Sequence, residues 1–175
     1  MSAPNPAYPF GLASIVVTNI SGASQVSLPT ANRMMVKERL QTGEAEGDDK
    51  LAAIASTVLA TEWELETKGI SLEAWAIMTG RTLTTTGSSP NEIKSMVQDG
   101  SERMPYFKIY GKSLGEGDDD VHVLLYKCKI TDGIEFTNQF GEFAGPTVKG
   151  IAVDDNTNGI SKVVINETAT SMPGS

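Results

Sequence analysis

From Thr61 to Thr67 apolar and acidic positions alternate, and a period of two is the pattern of a half-buried strand. Glu62, Glu64 and Glu66 therefore share one face, and Trp63 and Leu65 the other. This segment closes a β-capable stretch from Leu51 to Lys68. Leu12 to Ile20 is a second strand, rich in β-branched residues and closed by Asn19 and Ser21-Gly22. Gln25 to Leu28 leads through Pro29 to Met34–Leu40, read as strand. Tyr106–Tyr110, Val121–Ile130, Ile134–Phe140, Val148–Val153 and Ile160–Ile165 follow as strands, with turns at Leu114–Asp120 and Asp154–Gly159. The period changes at Ser71–Gly80, where Ser71 can cap a helix, Glu73 meets its positive end and Gly80 suits its stop. Leu72, Trp75 and Ala76 would share the face that plugs the sheet. Ser89-Pro90-Asn91-Glu92 has capping-box spacing, so local rules favour a helix over Pro90–Gln98.

Two segments have nothing of their own to bury. Gln41 to Lys50 carries Gly43, Glu44, Glu46, Gly47, Asp48 and Asp49 and no apolar residue larger than alanine, so an exposed, mobile loop is expected. Residues 1–11 hold three prolines with Tyr8 and Phe10, a composition for an extended arm that docks on another surface. Residues 12–167 then form one β-rich domain, and 168–175 a C-terminal tail. Short strands with one helix imply a mainly β fold, an antiparallel sandwich or split barrel with one flanking α-helix.

Composition narrows the function. The 175 residues carry 14 basic and 22 acidic side chains, a formal charge of −8, without a basic cluster to hold a phosphate backbone. The longest apolar stretch, Leu51–Ala60, is too short and too rich in small residues to cross a bilayer, and the start lacks the features of an export signal. The expectation is a protein without a membrane anchor, made and kept in the cytoplasm. Cys128 is alone, which excludes an intrachain disulfide and suits a reducing compartment. His122, the single histidine, sits mid-strand and is read as structural. Asp118-Asp119-Asp120 after Gly115-Glu116-Gly117 invites a calcium reading, but its spacing departs from the twelve-residue EF-hand loop. No nucleophile, base and orienter stand in a recognisable arrangement, so no catalytic residue, metal site or cofactor is assigned.

Several stretches together resemble the major tail tube proteins of long-tailed, non-contractile bacteriophages. They are Trp63–Ala74, Tyr106–Ile109, Asp120–Lys129, Gly141–Phe143 and Lys149–Val153, whose order and spacing span most of Leu51–Glu167. The resemblance implies hexameric rings stacked into a hollow, acidic tube that conducts DNA without binding it specifically. It further implies a place in the virion tail, after assembly in the host cytoplasm. Partners would be further copies of the chain and tape measure, tail terminator and baseplate proteins. It also implies that Pro90–Gln98 is a strand, and that the 41–50 loop contacts neighbouring rings. Glu62, Glu64 and Glu66 are candidates for the channel lining or a subunit interface. Two other readings stay open: another ring-forming tail or secretion-tube subunit, and a monomeric calcium-holding β-sandwich.

Overall fold

The computed structural model describes residues 8–28, 30–47, 50–115, 117–142 and 145–172. In chain order these form β1 (Pro9–Asn19), β2 (Gln25–Ser27), β3 (Ala31–Gly47), β4 (Lys50–Thr67), α1 (Leu72–Thr79), β5 (Leu83–Thr86), β6 (Ile93–Met96), β7 (Phe107–Gly115), β8 (Asp120–Glu135), β9 (Thr147–Ala152) and β10 (Ser161–Asn166). All pairings are antiparallel. The main sheet runs β2-β1-β7-β8-β9-β4-β3, with β10 also on β8, and β5-β6 form a separate hairpin.

The long strand β8 belongs to two half-sheets. Its first part pairs with β7 and β10 over Asp120–Leu125, and its later part pairs with β9 from Cys128 to Glu135. Irregular register at Phe107/Ile109 and Ile130/Ile134 lets the strand bend between these roles. The half-sheets then face each other. Trp63 on β4 meets Phe107 on β7 edge-to-face with ring centroids 5.7 Å apart, although three strand-to-strand steps separate these strands in the sheet. Ile15, Val17, Leu65, Ile109, Leu125, Cys128, Val148 and Ala152 complete the interior between them. The molecule is mainly β, an antiparallel sandwich with one helix at its side, as expected.

The helix has the expected caps. The Ser71 hydroxyl accepts from the Ala74 N–H at 3.3 Å, and Gly80 adopts φ 76° with its N–H donating to the Ala76 carbonyl. Its buried face is different from the expected one. Ala74 and Met78, one turn apart, enter the core, while Leu72, Trp75 and Ala76 are only partly buried. A small residue at the contact lets the helix approach the sheet, and the bulky Trp75 is left at the margin, near Phe136.

Three other expectations change. Gln41–Gly47 is strand, not loop, because it pairs with the β-capable residues of β4 from Gln41↔Thr57 to Gly47↔Lys50. Backbone pairing needs no burial of its own side chains, which is why composition misjudged it. The helix favoured over Pro90–Gln98 is absent: Ile93–Met96 pairs with Leu83–Thr86, and partnership overrides the local capping signal. Ile134–Phe140 is not a separate strand, since β8 runs unbroken through Ile134 and ends at Glu135.

Candidate assembly surfaces

Among the described residues β4 pairs with β9 over Thr61–Glu66, and β3 and β4 continue beyond Thr61 as a pair joined only to each other. At about 3.3 Å per residue, Arg39–Gly47 carries this ribbon roughly 25 Å past the sheet. Register places Leu40 opposite Val58 and Glu44 opposite Ile54, so Leu40, Val58 and Ile54 line one ribbon face. They are 53%, 42% and 61% exposed, and Leu59 is 55% exposed. An isolated two-stranded ribbon is at best marginally stable in water, and burying each such side chain is worth about 1.5–3 kcal/mol.

The predicted contact residues distribute along this ribbon. Gln41, Gly43 and Glu44 are exposed on β3, Glu46 and Gly47 continue the strand, and Asp48 and Asp49 lie outside the described residues. Of the arm, residues 1–7 also lie outside them. Tyr8 and Phe10 are 65% and 85% exposed at the start of β1, so neither docks on its own subunit. The reason is geometric, since Pro9 already joins the sheet edge opposite Gly115 and carries the aromatics outward.

The acidic stripe is half-buried and alternates with buried Thr61, Trp63, Leu65 and Thr67. Its neighbours are cations. Arg33 stands opposite Glu66, Lys37 opposite Glu62 and Lys149 opposite Glu64. Glu64 is paired on both sides, with Arg33 Nη1 at 3.5 Å and Lys149 Nζ at 3.7 Å. One row further, Ile151 separates Glu62 from Lys129 on β8. The face therefore carries both signs of charge, which the strand's own sequence did not show.

Lys129 leads to a group that sequence reasoning missed. The ammonium groups of Lys127 and Lys129 lie 5.2 and 4.9 Å from the centre of the Tyr106 ring. The signal was present as Lys127-Cys128-Lys129: with Cys128 buried in the core, both lysines must project outward. Burial also pushes the Cys128 thiol well above its ordinary value, so it is unreactive.

On the opposite half-sheet the carboxylate of Asp120 is wholly buried. It accepts from Asn166 Nδ2 at 2.6 Å, the Thr170 N–H at 2.7 Å, Lys112 Nζ at 3.0 Å and His122 Nε2 at 3.1 Å. Burial alone would raise its pKa, but these donors favour the charged form and hold it well below the usual carboxylate range. The cluster anchors residues 167–172: Lys112 Nζ also donates to the Thr170 carbonyl at 2.5 Å, the Ala169 N–H donates to the Asp118 carbonyl, and Met172 is buried. His122 is thus a structural partner, as expected, and Asp120 of the aspartate triplet faces its own chain's donors. Among the described residues no three His, Cys, Asp or Glu side chains are grouped to hold a metal ion. Nor is any helix there long and apolar enough to cross a membrane. No family model matches the chain, and neither does any curated protein.

Proposed function

We propose that this chain is a structural subunit whose function is self-assembly, and that its assembly is a tail tube of stacked rings. The observation that carries the reading is the β3–β4 ribbon, which projects with Leu40, Ile54 and Val58 exposed on one face. Such a surface on a lone molecule invites aggregation, whereas a defined contact with another copy removes it. The strand β10 adds a second opening: among the described residues it pairs only with β8, and its Val163 and Ile165 are 62% and 60% exposed. Closure into a ring satisfies edges of this kind on every copy at once. The tube itself, with DNA passing through its bore, rests on the resemblance in residues 51–167 and on its agreement with a sandwich flanked by one helix. Negative-stain images of concentrated protein test it. Rings or hollow tubes are expected, and a field of single small particles at every concentration and salt would overturn it.

A further inference from the structure

Between the C-terminal end of α1 and the lead-in to β7 lies an open groove of about 370 Å³. Ala76 and Ile77 of the helix, with Pro105 and Tyr106, form its apolar walls, and Asn19 and Ser24 its polar side. Its base is set by Gly80, which ends the helix so close to Pro105 that a Cβ there would come within 3.1 Å of the proline ring. An apolar cavity of about 150 Å³ already holds a benzene ring, so the groove has room for one aromatic side chain. Tyr106 also joins the groove to a charged rim, because its ring centre lies 5.2 and 4.9 Å from the ammonium groups of Lys127 and Lys129. Neither lysine has a carboxylate partner among the described residues. Holding like charges together is unfavourable unless an anion joins them. The groove therefore suits an aromatic ring that brings a carboxylate with it.

The chain displays such a group at Gln139–Glu142. The Glu142 N–H donates to the Gln139 carbonyl at 3.2 Å and Gly141 takes φ 85°, which makes a tight turn. Phe140 on this turn is 105% exposed, the most exposed large apolar side chain among the described residues. Glu142 is exposed too, with no cation paired to it there. The other exposed aromatics fit less well. Phe136 leans on Trp75, Tyr106 is part of the groove, and Tyr8 and Phe10 lie in a stretch that has no charged side chain before Arg33. Since Phe140 stands free of its own subunit, its own groove does not hold it.

We infer that this groove receives the Phe140–Glu142 turn of a second copy of this chain, with the phenyl ring on the apolar walls and the carboxylate against Lys127 and Lys129. The inference rests on the self-assembly reading and adds a second contact to that of the ribbon. It is tested in the full chain by the concentration at which sedimentation detects assembly, with circular dichroism melting as the check on folding. Phe140→Ser is expected to raise that concentration about ten-fold or more, the loss of one buried ring, without lowering the melting temperature. Glu142→Lys, and separately Lys127→Glu with Lys129→Glu, should each raise it about three-fold or more. The three charge changes together should bring it back toward the wild-type concentration. If the lysine reversal fails to fold, Lys127→Gln with Lys129→Gln replaces it, and weaker assembly is again the expected result. Unaltered assembly of folded Phe140→Ser beside an assembling wild type overturns the inference and leaves self-assembly standing. A Phe140→Ser chain that melts lower yet assembles normally also overturns it, since the ring would then be held by its own subunit. Loss in each charge variant without recovery in their combination overturns the pairing of Glu142 with the lysines. A wild type that stays monomeric at every concentration overturns this inference together with the reading beneath it.

Discussion

At Gly150 the β9 backbone runs directly opposite Trp63, and a Cβ there would collide with both the indole and the Lys129 carbonyl oxygen. Neither obstacle can yield, since the carbonyl is backbone and the indole is fully enclosed. Gly150→Ala should therefore lower stability by about 1–3 kcal/mol, the usual effect of overpacking, read as a reduced midpoint in denaturant. An unchanged midpoint would mean that the core around Trp63 is looser than described. Asp120 gives a second residue-level expectation. Its carboxyl is held below its ordinary value of 3.8 in the folded chain. A depressed native value contributes stability that is full above the unfolded value and is lost as pH falls through the native one. Stability should then decline below about pH 4, and Asp120→Asn should show a flatter profile over that range. The same variant leaves Lys112 and His122 without their buried charge partner, so it should lose about 3–5 kcal/mol at neutral pH. A neutral-pH loss with no change in profile would assign the effect to packing alone.

Among the elements, the ribbon separates stability from assembly. Leu40, Ile54 and Val58 touch no core, so changing all three to Ser should leave the melting temperature of the subunit nearly unchanged. In hydrogen exchange, amides of 39–60 should exchange faster in the free subunit than those of Thr61–Glu66, which are paired on both sides, and should become protected on assembly. Equal exchange in both states would remove the ribbon from any interface. The ribbon also shows where sequence reasoning stopped. Alternation around Trp63 identified the face and period of β4 because one side of that strand is buried, and the helix was legible from its caps. Gln41–Gly47 was not legible, because Gln41–Glu44 are exposed on both faces, lack the alternation that reveals strands and are specified by their partner. The 90–98 segment failed for the same reason: its pairing with Leu83–Thr86 is non-local, whereas Ser89-Pro90-Asn91-Glu92 is a local signal. The Asp120 cluster gathers residues 112, 120, 122, 166 and 170, a separation that no local pattern could report.

For the whole molecule, charge placement decides what a bore would meet. The stripe of Glu62, Glu64 and Glu66 is flanked by Arg33, Lys37 and Lys149, so its net repulsion of phosphate is weaker than the three glutamates alone suggest. Should this face line the channel, changing the three to Gln leaves a cationic surface, and tubes should form while DNA passage slows. Normal tubes with normal delivery would move the bore to another face. Sedimentation velocity across a concentration series tests assembly through the ribbon most directly. Wild-type protein should shift from a single small species to large, discrete assemblies as concentration rises. The Leu40→Ser, Ile54→Ser, Val58→Ser variant, equally folded, should stay small throughout. A wild type that remains monomeric at every concentration, or a variant that assembles as readily as the wild type, would contradict it.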